Sequence, residues 1–80
     1  MKNLSNHIGN TPLIPITIGD LTVWGKAEFM NPGGSVKDRM ATFIINHAEK
    51  NGLIVKGSTL CEATSGNSGI ALAMLAAERG

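Results

Sequence analysis

One cysteine, Cys61, stands in 80 residues. It can form no internal disulfide, and no metal-ligand spacing accompanies it, which points to a reducing compartment. Charge of one sign is also missing. The 7 Lys+Arg are spread along the chain against 6 Asp+Glu, for a formal net charge of +1. Without a basic run there is no electrostatic footprint for nucleic acid, and without an acidic tail no lure for a basic partner. The opening residues, MKNLSNHIGNTPL, hold no apolar stretch of the secretory kind. The longest apolar-rich run, Ile70 to Ala77, is far too short to cross a bilayer. These absences predict a cytoplasmic protein that works away from membranes and nucleic acids. What is present is globular in kind: 42% hydrophobic residues and a mean hydropathy of +0.09. The length predicts a single unit, residues 1–80, with a modest core.

Turn chemistry divides the chain. Gly9-Asn10-Thr11-Pro12 reads as a turn after a polar, irregular start. Leu13 to Ile16 is a short apolar piece whose prolines suit an edge or extended segment. Gly19-Asp20 is a second turn, and Leu21 to Ala27 reads as a strand. Phe29 to Gly34 reads as loop. Val36, Met40, Phe43, Ile44 and Ala48 repeat at helical spacing, predicting a helix from Val36 to about Asn51 with this stripe as its apolar face. Ser35 suits its N-cap, Asp38 a capping box, and Gly52 its terminator. Thr59 to Ala63 is expected to be a buried strand holding Cys61 in the core. Ile70 to Arg79 is expected to be an alanine-rich helix closed by Gly80. The order strand, helix, strand, helix predicts an α/β fold with a parallel sheet, incomplete at this length. Trp24 reads as a core or interface aromatic.

Two loops carry chemistry. The first, NPGGSVKDR from Asn31 to Arg39, places Lys37 at the start of a helix. The helix dipole and the nearby Arg39 both disfavour an ammonium there, and a free amine is what a Schiff-base lysine needs. The second, TSGNSG from Thr64 to Gly69, combines glycines with hydroxyls and one amide before another helix. That set suits a small carboxylate. It is neither a P-loop nor a dinucleotide fingerprint. Taken singly, Lys37 reads first as a solvated lysine and TSGNSG as a turn with an N-cap. Arg39 reads as an ion-pairing residue. Glu28 and Glu62 are not spaced as an acid/base pair, and His7 and His47 have no visible catalytic partner.

Taken jointly, IGNTPL at Ile8–Leu13, NPGGSVKDR at Asn31–Arg39 and EATSGNSGIALA at Glu62–Ala73 resemble the cysteine synthase/cystathionine β-synthase group of fold-type II pyridoxal-phosphate enzymes. The resemblance covers nearly the whole chain. It implies that Lys37 binds pyridoxal 5'-phosphate covalently and that Asn67 hydrogen-bonds the cofactor's ring hydroxyl. It implies that Thr64, Ser65, Gly66, Asn67 and Ser68 grip the substrate carboxylate. The implied reaction is β-replacement, O-acetylserine and sulfide giving cysteine. Homocysteine in place of sulfide, as in cystathionine β-synthases, remains open. The dehydratases of the fold type fit these loops less well. Full-length relatives are expected to be homodimers. Ser68 stands where the family usually has Thr, Ala63 where it often has Pro, and Ala27 where it commonly has Leu. The family's phosphate-binding loop falls beyond these residues. The resemblance therefore implies an amino-terminal piece, inactive alone, or a remnant that folds only with a partner.

Overall fold

A computed structural model describes residues 4–64 and 66–80. A single 3-10 turn, Leu4–His7, leads into β1 (Leu13–Ile18) and β2 (Leu21–Lys26). These pair antiparallel, Leu13 opposite Lys26 and Ile18 opposite Leu21. Only Gly19 and Asp20 separate the strands. A link so short permits only an antiparallel pair, since a parallel one needs a crossover of about a dozen residues or more. Gly19 takes the left-handed conformation that the tight turn requires, φ +59. Pro15 sits opposite Trp24 and is tolerated because each strand of a two-stranded ribbon keeps one free edge.

The predicted parallel sheet is not what forms. Among the described residues the sheet is this antiparallel hairpin, and Thr59–Ala63 belongs to no strand. A strand is defined by its neighbour, and β1 and β2 pair with each other. The observed order is strand, strand, helix, helix: α1 is Lys37–Lys50 and α2 is Asn67–Arg79. A second 3-10 turn, Glu28–Met30, interrupts the expected loop after β2.

The core lies between the helices. Ala41 and Ile45 of α1 meet Ala71 and Leu75 of α2, all buried. Each pair is spaced four apart, so it shares one helix face. The two alanines let the backbones approach, and Ile45 and Leu75 supply the apolar volume, each worth about 1.5–3 kcal/mol when fully buried. Ile8, Ile54, Leu72 and Met74 pack around them. The expected stripe on α1 is therefore not the buried face. Phe43 and Ile44 are exposed, at 73% and 50%, as is Met40. α1 is apolar on two sides, and α2 takes the side with the smaller residue. Cys61 is exposed rather than in the core, and Trp24 is 62% exposed.

The helices run in the same direction. Met40 and Ile44 share a groove with Ser68 and Leu72 near the helix starts. At the far end Arg79 donates to Asn46 at 2.9 Å and pairs with Glu49 at 3.5 Å. α1 ends as the sequence predicts. Leu53 N–H reaches the Ala48 carbonyl, Gly52 N–H reaches Glu49, and Gly52 is left-handed, φ +71. The first turn of the chain is docked on the end of α2, where the Ser5 N–H donates to Glu78 at 2.9 Å. The Ser5 side chain first, and this backbone bond next, hold the Glu78 carboxyl below its usual range.

Candidate cofactor and carboxylate site

Parallel alignment brings the two loops to one end of the helix pair. Lys37 opens α1, and Asn67 and Ser68 open α2. Both helix starts offer N–H groups without intrahelical partners.

The first loop is braced from three sides. Asn31 is 4% exposed and uses its whole amide. Its oxygen accepts from the Gly9 N–H at 2.8 Å. Its nitrogen donates to the Glu28 carbonyl at 3.0 Å, the Glu28 carboxylate at 3.2 Å and the Ser35 carbonyl at 2.9 Å. The IGNTP turn, the Glu28 turn and the residues before Lys37 are thereby one unit. Glu28 also takes a hydrogen bond from the Thr11 hydroxyl and a short ion pair from Arg39 at 2.5 Å. Arg39 donates to the Thr11 hydroxyl at 3.1 Å, and Lys26 donates to the Thr11 carbonyl. The Arg39 guanidinium first, and the Thr11 hydroxyl next, hold the Glu28 carboxyl down to about 2.

This changes the expectation for Lys37. The charge of Arg39, expected to press on the lysine, is balanced by Glu28. Lys37 is exposed, makes no side-chain hydrogen bond or ion pair among the described residues, and begins its helix. The expected cap also differs. Val36 holds the N-cap position, and the Ser35 hydroxyl accepts from the Lys37 N–H at 3.2 Å. Asp38 does not complete a capping box. It is fully buried and turns back to accept the Gly33 N–H at 2.5 Å.

The second loop is built around Thr64. Gly66 occupies the N-cap of α2 and has no side chain to offer. The Thr64 hydroxyl caps instead, accepting from the Gly66 N–H at 3.2 Å and the Gly69 N–H at 3.1 Å. Both acceptor sites of the hydroxyl are then used, and its hydrogen stays available to donate. A Cβ on Gly69 would stand 2.5 Å from the Thr64 methyl, so only glycine lets this cap close. α2 begins three residues earlier than the periodicity predicts, at Asn67, which places Asn67 and Ser68 in its first turn. Neither side chain has a hydrogen-bond partner among the described residues. Ser65 lies outside the described residues.

The donor set suits the aldehyde and ring-hydroxyl end of pyridoxal phosphate. Among the described residues the Lys37 amine is tied to no carboxylate, which suits imine formation, and the Asn67 amide is unengaged, which suits a hydrogen bond to a ring oxygen. Ser68, Thr64 and the N–H groups of the first turn of α2 suit a carboxylate. Glu28, Asn31, Thr11 and Asp38 form the support that sequence reasoning missed. Thr11 and Asn31 lie inside quoted motifs, yet Thr11 meets Glu28 17 residues away and Asn31 meets Gly9 22 residues away, and no local spacing reveals that.

Residues 4–80 match the model of the pyridoxal-phosphate dependent enzyme family. A cysteine synthase of Dictyostelium discoideum is 57% identical over 77 residues, covering 91% of this chain and 20% of that protein. A cystathionine beta-synthase of Apis mellifera is 50% identical over 86 residues, covering 100% of this chain and 17% of its own length. Among solved structures, an O-ureido-L-serine synthase superposes with a TM-score of 0.92 at 46% identity, covering 100% of this chain and 26% of that one. The chain thus spans about a quarter or less of the length of these relatives.

Proposed function

The chain belongs to the pyridoxal-phosphate dependent enzyme family, and on that premise we propose that it supplies the lysine and the carboxylate loop of a cysteine synthase. The proposed overall reaction is O-acetylserine plus sulfide to cysteine plus acetate. The β-carbon loses its bond to oxygen and gains one to sulfur. The observation that carries this reading is the shared end: the Lys37 amine, unpaired among the described residues, and the open first turn of α2 lie at the starts of two helices packed in parallel.

Lys37 Nζ holds the cofactor and moves the substrate α-proton, taking it before acetate departs and returning it after sulfur has added. Pyridoxal phosphate, when bound, supplies the electron sink for the negative charge at the α-carbon. Asn67 hydrogen-bonds the ring hydroxyl. Thr64 and Ser68 donate their hydroxyls to the substrate carboxylate, while Ser65, Gly66 and Asn67 complete the loop around it. The helix dipole of α2 favours the bound anion. Residues 1–80 act as one structural unit in this reading.

The resemblance to a cystathionine beta-synthase at 50% identity supports a second reading, in which homocysteine replaces sulfide. The exposed apolar surface supports a further element of both readings. Trp24, Phe43, Leu21 and Ile18 are each more than half exposed, so the unit works with these faces covered by further protein. In both readings the working enzyme is a homodimer in the cytoplasm. Among the described residues, no helix is long and apolar enough to cross a membrane.

The experiment is covalent trapping. The purified chain is dialysed after exposure to pyridoxal phosphate, reduced with borohydride and mapped by mass spectrometry, with Lys37→Ala alongside. A retained near-visible absorbance band, fixed onto Lys37 and missing in the variant, supports the reading. A label spread evenly over the lysines, or unchanged in Lys37→Ala, overturns it.

A further inference from the structure

The Lys37 side chain makes no hydrogen bond or ion pair among the described residues, so its aim depends on the backbone that carries it. That backbone is pinned by its neighbour. Asp38 is fully buried, and its Oδ2 takes the Gly33 N–H at 2.5 Å. Its Oδ1 has no partner and lies against Gly33, where an added Cβ would stand only 2.2 Å away. A carboxylate buried with one oxygen unpaired is a standing expense in free energy, and a site that retains one calls for a reason. The side chain grips the Pro32-Gly33 bend closely, and that contact holds the loop as it enters α1. From the other side, Asn31 holds the Ser35 carbonyl and Ser35 holds the Lys37 N–H. Lys37 lies between the two clamps.

We propose that Asp38 is a positioning residue for Lys37: by clamping Gly33 it fixes the start of α1 and thereby the direction in which the amine is presented to a carbonyl ligand. The proposal rests on the reading of Lys37 as the cofactor lysine. Among the described residues Asp38 makes no hydrogen bond or ion pair with the Lys37 side chain. It acts through the backbone.

The test compares the full chain with Asp38→Ala, Asp38→Asn and Leu75→Ala. Asparagine keeps the volume and an acceptor oxygen for Gly33, alanine removes both, and Leu75→Ala weakens the core away from the clamp. Each is treated with pyridoxal phosphate and borohydride under conditions where its helical signal is retained. The readout is the ratio of label on Lys37 to label on Lys26 in the same molecules. Amide exchange at Gly33, measured without ligand, reports the clamp itself. Displacing a reacting group by about 1 Å can cost about 100-fold, so Asp38→Ala should lower the ratio by about tenfold or more and speed Gly33 exchange. Asp38→Asn should restore the ratio to within about twofold, and Leu75→Ala should leave it unchanged. An unchanged ratio in Asp38→Ala, an equal loss in Leu75→Ala, or no rescue by Asn overturns the positioning role. A wild-type chain with no preference for Lys37 overturns the cofactor reading instead.

Discussion

Replacing Thr64 with valine removes one oxygen and keeps the shape of the side chain. In the structure that oxygen accepts from the Gly66 N–H at 3.2 Å and the Gly69 N–H at 3.1 Å. No other side chain caps the start of α2 among the described residues. Loss of a capping hydroxyl costs about 1 kcal/mol, within a range of about 0.5–2, and 1 kcal/mol is roughly a fivefold change in an opening equilibrium. Because Thr64 is exposed, the freed N–H groups regain water, which places the cost near the middle of that range rather than above it. The loss is local, since the helix core at Ala71 and Leu75 lies beyond the first turn. Amide exchange by NMR should therefore show Gly69 opening about fivefold faster in Thr64→Val, while Leu75 is unchanged. Thr64→Ser keeps the hydroxyl and should retain most of the Gly69 protection. If the valine variant protects Gly69 as well as the threonine does, the hydroxyl is not the cap and the geometry assigned to the carboxylate loop is wrong.

Other outcomes follow from the same framework. Glu28 has a folded-state carboxyl at about 2 against an ordinary 4.5, so its contribution to stability is present above about 4.5 and is lost as pH falls toward 2. A carbon-detected titration should find its midpoint near 2, and Arg39→Met should move it up toward 4.5; an unmoved midpoint refutes the ion pair as the main cause. Leu75→Ala deletes a fully buried side chain from a core of four residues and should cost about 2–5 kcal/mol in urea unfolding, a large share of what a chain this short can hold. Gly33→Ala drives a methyl into Asp38 and should destabilise the first loop more than Gly34→Ala, where only the left-handed φ of +88 opposes the change; equal effects would argue that Asp38 moves aside freely. Gly52→Ala should cost about 1–2 kcal/mol, because the left-handed terminator of α1 then carries a Cβ.

The punctuation and the helices were legible in the order of residues. Gly19-Asp20 as a turn, Gly52 as a helix terminator and the two helical segments are local matters of φ preference and apolar repeat, and each is legible within a few residues. The order of residues also marked which side chains are candidates for chemistry, because NPGGSVKDR and TSGNSG are contiguous. Everything that depends on a distant partner had to wait for the folded chain. Thr59–Ala63 has strand composition, yet the sheet is the hairpin, because pairing needs a neighbour that composition does not name. The stripe of Met40, Phe43 and Ile44 had the right period, but α2 packs on Ala41 and Ile45, since close approach favours the smaller side of a helix that is apolar on both. Glu28 looked idle by spacing and proved to join Thr11, Asn31 and Arg39 across 3 to 17 residues of chain. The cap of α2 went to Thr64, two residues before the position that local rules favour, because Gly66 there has no side chain. Periodicity reports one element at a time; the packing that puts the starts of α1 and α2 at one end of the helix pair is a relation between elements, and only the folded chain contains it.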